Sequence, residues 1–254
     1  MAKANDAKVS QDNNAMLSLN GVSKNFGGIV ANRGISLEVP AGGIIGLIGP
    51  NGSGKSTLFN VICGTHLADA GQVKFCGRNI TADSTAAIAR AGLIRVFQQT
   101  RVYKEMKCID NMRISAPVEG GWFSPPPESA RAEAMDLLDF VGLAEKNNWL
   151  AGELSFGQQK LLELAMALIA KPKLLLLDEP TAGINPTLIN GVMSRLRAVN
   201  EEFGVTLFVI EHNMRVIMNL AQRIFCLARG EVLAVGAPGQ IQNDERVIDA
   251  YLGG

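Results

Sequence analysis

Hydrophobic and polar positions follow two different periods along the chain, and these periods distinguish strands from helices. Alternating segments and short apolar runs predict strands at residues 16–20, 35–39, 44–48, 72–76, 92–97, 174–177, 205–210, 224–228 and 231–235. Other segments, several with apolar spacings of three and four, predict helices at residues 55–63, 130–141, 156–170, 187–202, 213–222 and 244–252. Strands that alternate with helices at both ends of the chain favour a mostly parallel α/β sheet.

A segment of different composition separates the two strand-rich ends. Residues 99–153 are predicted to form an inserted helical lobe, which divides one core into residues 16–98 and 154–254. Residues 1–15 are polar and are predicted to form a disordered tail. Within the lobe, residues 120–128 (GGWFSPPPE) contain three consecutive prolines. Because proline restricts φ and removes a backbone donor, we expect a surface loop there.

Composition narrows the possible functions before any motif is considered. The 24 basic and 24 acidic residues balance, which argues against a nucleic-acid partner, because such domains usually carry a basic stripe. No apolar run approaches the roughly 18 residues of a membrane span, and the N-terminus lacks a signal pattern. We therefore expect a cytoplasmic protein that meets a membrane only through a partner. The scattered cysteines indicate reduced thiols and no zinc site: Cys63, Cys76, Cys108 and Cys226.

A phosphate-binding loop is the strongest local signal. Residues 49–56 (GPNGSGKS) match the pattern G-x-x-x-x-G-K-[ST] and lie between a predicted strand and a predicted helix. Glycines let successive backbone N–H groups converge on an anion, and the helix adds the positive end of its dipole. We expect Lys55 to reach the β- and γ-phosphates of a nucleotide and the hydroxyl of Ser56 to bind Mg²⁺. The loop predicts nucleotide binding but does not indicate which class of nucleotide-dependent protein this is.

Two adjacent carboxylates follow the apolar strand at 174–177. Asp178 and Glu179 are expected at the carboxyl edge of the sheet, where α/β proteins bind their ligands. Beside a phosphate loop, Asp178 is predicted to hold Mg²⁺ through its water shell and Glu179 to polarise the attacking water as general base. Without that loop, the pair would equally fit a strand end with solvated acids.

The segment at 154–158 (LSFGQ) narrows the class. Ser155 and Gln158 have the spacing of a capping box, which is a sufficient local explanation. The segment also resembles the Leu-Ser-Gly-Gly-Gln signature of ABC-type ATPases, with Phe156 in place of the family's first glycine. In that family the signature helix points its positive end at the γ-phosphate held by the opposite subunit. A serine hydroxyl and the N–H of Gly157 suit that role.

Four further positions match motifs of that family in the same order. Gln98 resembles the Q-loop glutamine, which contacts Mg²⁺ and water at the hinge of the helical lobe. Residues 182–185 (AGIN) resemble the D-loop, which crosses the dimer interface, and His212 resembles the switch histidine, which contacts the γ-phosphate. Phe26 lies near the place where an aromatic ring stacks on adenine, with a purely structural role as an equal alternative.

The resemblance covers residues 16–254 and implies the family's fold. That fold is a RecA-like P-loop NTPase core with an antiparallel β subdomain and an inserted α-helical subdomain, which carries the signature at its C-terminal end. The implied cofactors are ATP and Mg²⁺. The implied nucleotide-binding residues are Phe26, Gly49, Pro50, Asn51, Gly52, Ser53, Gly54, Lys55, Ser56, Thr57, Asp178, Ser155, Gly157 and Gln158. The implied metal ligands are Ser56, Gln98 and Asp178. The implied catalytic residues are Glu179, His212 and Gln98.

Three motifs resemble one branch of this family in more detail. Residues 154–160 (LSFGQQK), 178–186 (DEPTAGINP) and 210–214 (IEHNM) are similar to the ATPases of branched-chain amino acid importers, which commonly carry an aromatic residue at the position of Phe156. The resemblance implies a second cassette as partner, either a related subunit or another copy of this chain. It also implies permease subunits in the membrane, a solute-binding protein reached indirectly, and a peripheral location on the inner face of the cell membrane.

Several alternatives stay open at this point. Importers of urea or short-chain amides use closely similar cassettes, and an exporter cassette belongs to the same class. An ABC-type ATPase that acts on DNA or ribosomes would usually have a long coiled-coil insert or two fused cassettes, and the sequence has neither. A nucleotide-binding regulator without turnover has only Phe156 in its favour.

Overall fold

The computed structural model describes residues 15–116 and 128–252. The predicted tail at 1–15 lies outside the described residues except for Ala15, and this residue begins a strand. The predicted loop at 120–128 also lies outside them except for Glu128, which begins a helix. At these two positions the predicted bounds were wrong by one residue.

The described residues form both strands and helices. The strands are β1 (Ala15–Phe26), β2 (Ile29–Pro40), β3 (Ile44–Ile48), β4 (Ala70–Phe75), β5 (Arg78–Asn79), β6 (Leu93–Val96), β7 (Leu174–Asp178), β8 (Thr206–Ile210), β9 (Arg223–Ala228) and β10 (Glu231–Gly236). The helices are α1 (Lys55–Ile62), α2 (Thr85–Arg90), α3 (Cys108–Ser115), α4 (Glu128–Phe140), α5 (Phe156–Leu168), α6 (Pro186–Phe203), α7 (Met214–Leu220), α8 (Pro238–Gln242) and α9 (Glu245–Leu252). Each predicted strand and helix has a counterpart here. The short elements β5, α2, α3 and α8 were not predicted, because so few residues carry little periodicity.

Two sheets organise these elements. The larger sheet has the order β10-β9-β3-β8-β7-β6, in which β9, β3, β8, β7 and β6 pair in parallel and β10 is antiparallel to β9. The smaller sheet is antiparallel, with the order β2-β1-β4-β5. A parallel α/β core beside an antiparallel sheet is the fold class predicted from the sequence.

The central parallel strands β3, β7 and β8 are buried throughout, and their side chains alternate between two cores. Leu174 and Leu176 of β7 belong to the core shared with α1, α2 and the antiparallel sheet, whereas Leu175 and Leu177 belong to the core shared with helices α3 to α9. The strand period of two therefore directs Asp178, the last residue of β7, to the α1 side. The helices between β6 and β7 pack on one another, α3 on α4 and α5, and α4 on α5.

Candidate nucleotide-binding site

The phosphate loop runs from the end of β3 to the start of α1, and neighbouring strands enclose it. Gly49 has a φ of 148°, and a methyl group built on it would lie 2.1 Å from the carbonyl oxygen of Leu227. Gly54 has a φ of 100°, and a methyl group there would lie 2.3 Å from the carbonyl oxygen of Ala31. The side chain of Asn32 donates to the carbonyl of Gly54 at 3.1 Å. The path of the loop therefore requires glycine at both ends.

Lys55 lies beneath this loop and folds back onto it. Its Nζ donates to the carbonyl oxygens of Gly49, at 2.7 Å, and Pro50, at 3.0 Å. The residue is 6% exposed, and burial lowers the pKa of Lys55, while the negative charges of Glu179 and Asp178 act in the opposite direction. A buried cation surrounded by backbone carbonyls is placed to attract a phosphate.

The remaining loop residues differ in exposure. Ser53 is 2% exposed, whereas Asn51, Gly52 and Ser56 are exposed and Thr57 is half-buried. Helix α1 begins without a side-chain cap. An anion at this helix start would be stabilised by the helix dipole and by backbone N–H groups.

Asp178 is paired with an arginine that the sequence analysis did not single out. Nη2 of Arg95 lies 2.6 Å from Oδ2 of Asp178, and both side chains are 8% exposed. Nη1 of Arg95 donates to Oδ1 of Asn60 at 2.5 Å. Arg95 lies in β6, where it pairs in register with Leu176 of β7. The sequence did contain a signal for this pair, because Arg95 is a charged residue inside an otherwise apolar strand. A charged side chain that is buried needs a partner.

Glu179 brings together the residues predicted to be catalytic. Nε2 of Gln98 donates to Oε2 of Glu179 at 2.8 Å, and Nε2 of His212 lies 2.8 Å from Oε1. Glu179 has a left-handed φ of 51°, and its N–H donates to the carbonyl of Ile210 at 2.9 Å. Because non-glycine residues rarely adopt this conformation, the turn after β7 carries local strain at the carboxylate.

A second buried carboxylate connects the neighbouring loops. Glu211 is 2% exposed, and its Oε1 accepts hydrogen bonds from the N–H of Thr181, at 2.9 Å, and from its hydroxyl, at 2.6 Å. Thr181 follows Glu179 by two residues, and Glu211 directly precedes His212. Both residues lie inside motifs of the family, residues 178–186 and 210–214, but neither had a predicted role.

The signature segment forms the start of α5. The hydroxyl of Ser155 accepts from the N–H of Gln158 at 3.4 Å, and the side-chain oxygen of Gln158 accepts from the N–H of Ser155 at 3.1 Å. The predicted capping box is therefore present. Nζ of Lys160, two residues later, donates to the carbonyl oxygens of Phe97, at 3.1 Å, and Gln98. This lysine, missed from the sequence, ties the signature helix to the Q-loop.

Two predicted parts of the site stand apart from this centre. In residues 15–116 and 128–252, no hydrogen bond joins Ser155, Gly157 or Gln158 to the phosphate loop, so one chain does not join its signature to its own loop. Phe26 lies at the β1–β2 turn, 41% exposed, with its ring edge-to-face on His66 at 5.2 Å.

The predicted metal ligands are oxygen donors. Ser56 offers a hydroxyl, Asp178 a carboxylate and Gln98 an amide oxygen, which are the ligands that Mg²⁺ prefers. The described residues contain no group of three or more His, Cys, Asp or Glu side chains that could hold a metal alone. This pattern fits Mg²⁺ held largely by water and substrate phosphates.

A glycine loop over a buried lysine, followed by a helix and facing an Asp-Glu pair, defines a P-loop nucleoside triphosphatase. The family model of the ABC transporter matches residues 32–182, and that of the branched-chain amino acid ATP-binding cassette transporter matches residues 231–254. The chain belongs to the ABC transporter family, as the ATP-binding, ATP-hydrolysing cassette. No helix in the described part of the chain has the length and apolar character needed to cross a membrane.

Relatives and solved structures agree with this membership. The high-affinity branched-chain amino acid transport ATP-binding protein BraF of Pseudomonas aeruginosa is 34% identical over 94% of this chain and 98% of its own length. The ADP conformation of an ATP-binding cassette of an ABC transporter has a TM-score of 0.86 at 33% identity, covering 94% of this chain and 99% of that chain. A dimeric post-hydrolysis cassette bound to ADP and Pi has a TM-score of 0.76 at 27% identity, covering 88% and 99%.

Proposed function

We propose that this chain is the ATP-hydrolysing subunit of an importer of branched-chain amino acids. The proposed ATP hydrolysis is supported by one observation: the side chains of Gln98 and His212 both contact the carboxylate of Glu179. The similarity to branched-chain amino acid transport proteins, which includes the C-terminal match at 231–254, supports the solute class. Urea or amide import is the alternative solute within the same mechanism.

The phosphate loop binds the nucleotide in this proposal. Lys55 turns from the carbonyls of Gly49 and Pro50 toward the β- and γ-phosphates, because an anion is a better partner for a buried ammonium than neutral carbonyls are. Ser56 and Asp178 would hold Mg²⁺, which would neutralise charge on the phosphates. Phe26 stacks on the adenine ring.

Glu179 acts as the general base. It lies after the sheet edge, beside the phosphate loop, and accepts the proton of the attacking water. Gln98 and His212 orient its two oxygens through contacts of 2.8 Å each. When the γ-phosphate enters, His212 would give up its contact with Glu179 for the phosphate, and Gln98, which would help to hold Mg²⁺ and the water, would give up its own contact. The carboxylate of Glu179 is then free to accept a proton from the water.

The site is completed by a second cassette placed head to tail. Ser155, Gly157 and Gln158 of one subunit contact the γ-phosphate held by the other, since the described chain does not bring them to its own loop. The start of α5 is suited to this contact because a helix N-terminus stabilises an anion. The dimeric state of the ADP- and Pi-bound structure supports the pairing.

The surface after the Q-loop is proposed to contact the membrane subunits. Tyr103, Trp149 and Leu150 are 58%, 46% and 40% exposed. They are fixed by backbone bonds, such as that from the N–H of Cys108 to the carbonyl of Trp149 at 2.9 Å. Exposed aromatic residues on a rigid surface favour a protein partner. The chain would then be peripheral on the inner face of the membrane.

Replacement of the proposed base tests this function. We expect Glu179→Gln to bind ATP normally while turnover falls by about 10²-fold or more, and light scattering with MgATP should show a trapped pair. The exposed Glu202→Gln on α6 is the control and should keep full turnover. Near-normal turnover in Glu179→Gln would refute its role as base. If it binds ATP but stays monomeric, pairing requires a different cassette.

The solute is tested in the assembled transporter. The cassette is reconstituted with its membrane subunits and solute-binding protein in proteoliposomes, and ATP hydrolysis is measured with leucine, urea or acetamide as the solute. Stimulation by leucine alone is the expected result. Stimulation by urea or acetamide alone would replace the proposed solute while leaving the ATPase mechanism in place.

A further inference from the structure

The aromatic residue of the signature packs against the D-loop of its own subunit. A methyl group built on Gly183 would lie 3.0 Å from Cε1 of Phe156, 3.6 Å from Cζ and 3.7 Å from Cδ1. The ring therefore rests against the backbone of Gly183, where a larger residue would push it away. Phe156 remains 43% exposed, so the contact covers one part of the ring and leaves another part accessible.

The contact between Phe156 and Gly183 also depends on the backbone conformation of Gly183. Gly183 has a φ of 73°, a conformation that favours glycine independently of the ring. The first turn of α5 continues the contact, since a methyl group on Gly157 would lie 3.8 Å from Ile184 and 3.7 Å from Leu188. The start of the signature helix thus packs along the D-loop and the first turn of α6.

The residue directly before the D-loop is hydrogen-bonded to the residue before His212. Thr181 donates twice to the buried carboxylate of Glu211, next to His212. Residues 181–184 are therefore held by polar contacts at one end and by the Phe156 ring at the other. Lys160 lies 5.9 Å from the centre of that ring, and its ammonium holds the Q-loop carbonyls.

We propose that Phe156 is a positioning residue that joins the D-loop to the signature helix, so that both move as one unit when the γ-phosphate is bound or lost. The inference rests on the head-to-tail pairing proposed above. A displacement of His212 and Glu179 would then also displace the signature segment of the same subunit. That segment contacts the ATP bound by the partner subunit. The aromatic residue in the signature thereby links the two ATP sites.

Hydrogen exchange of the isolated chain tests the contact without requiring turnover. In Phe156→Ala, we expect amide exchange in residues 182–188 to rise about fivefold, because the loop loses its packing partner, while exchange in the phosphate loop stays unchanged. Phe156→Tyr keeps the ring and should restore the slow exchange. The control is Phe203→Ala, which removes a ring of 45% exposure at the far end of α6. Unchanged D-loop exchange in Phe156→Ala would overturn the proposal.

Steady-state kinetics, run with the partner cassette if pairing requires one, tests the consequence. Phe156→Ala should lower kcat about tenfold with an unchanged nucleotide affinity of the single subunit, since the phosphate loop is untouched. Phe156→Tyr should recover most of kcat. Wild-type kcat together with looser D-loop exchange would refute the link between the sites. A wild-type chain without turnover would instead contradict the proposed ATPase function, and the exchange result would still decide the contact.

Discussion

The hydroxyl of Tyr251 accepts a hydrogen bond of 2.8 Å from the backbone N–H of Gly49, 202 positions away. Tyr251 belongs to α9, and Gly49 is the first residue of the phosphate loop. Burial raises the pKa of Tyr251 to about 12, so the phenol is neutral at physiological pH. The last helix of the described chain thus supports the nucleotide site directly.

Removal of this hydroxyl is predicted to weaken nucleotide binding. Tyr251→Phe leaves the N–H of Gly49 without its acceptor, and a hydrogen bond is worth about 1 kcal/mol net, which corresponds to about a fivefold loss of ATP affinity. Titration with a fluorescent ATP analogue measures the change. Ile248→Ala, at a residue 42% exposed on the same helix, is the control. Equal losses in the two variants would assign the effect to the helix and not to the hydroxyl.

The buried pair of Arg95 and Asp178 is predicted to contribute strongly to stability. Arg95→Ala leaves a carboxylate of 8% exposure without its cation, and breaking a buried pair costs about 3 kcal/mol. Urea unfolding of the wild type and of Arg95→Ala measures the difference in their free energies of unfolding. Arg246→Ala breaks an ion pair whose arginine side chain is 64% exposed and should leave the free energy of unfolding nearly unchanged. Similar losses in both variants would contradict the prediction.

Glu163 is predicted to make stability depend on pH. Burial raises the pKa of Glu163 above its ordinary value of 4.5, with Lys160 acting in the opposite direction, and its Oε2 is buried without a hydrogen-bond partner. A raised pKa means that the folded state favours the protonated acid, so its contribution is present at low pH and is lost as the pH rises through the folded-state pKa. As the pH rises above 4.5, the wild type should therefore lose this contribution to its free energy of unfolding, whereas Glu163→Gln should not. The stability of Glu163→Gln relative to the wild type should increase with pH.

Urea unfolding at several pH values measures this gain. The exposed Glu202→Gln should follow the wild type at every pH. A difference between wild type and Glu163→Gln that stays constant with pH would show that this carboxyl has the same pKa in the folded and unfolded chains.

Thiol labelling is predicted to report one reactive cysteine. Burial raises the pKa of Cys63 and of Cys226 to about 11, and it also raises the pKa of Cys108. Cys76 is exposed. Because the thiolate is the reactive form, a maleimide at neutral pH should label Cys76 alone in the folded chain. Cys76→Ser should abolish the labelling, and unfolding should expose the other three thiols. Labelling of a second thiol in the folded chain would contradict the burial.

Much of the site was predictable because its parts are local in sequence. The phosphate loop and the Asp-Glu pair are contiguous segments whose chemistry follows from residue type and spacing. Gln98, His212 and Glu179 were assigned to one site through the family resemblance, and the structure places them in contact. Arg95 and Tyr251 were missed, because each acts through a partner that only the fold brings near.

The sequence by itself determined the longer strands and helices and the phosphate loop, since hydrophobic period and glycine content act over a few neighbouring residues. It also determined the family, through motifs in a defined order. Only the tertiary structure decided which strands are neighbours, that Arg95 faces Asp178, and that the Phe156 ring lies on Gly183. These relationships join residues far apart in the chain, and their geometry depends on how all the layers pack together.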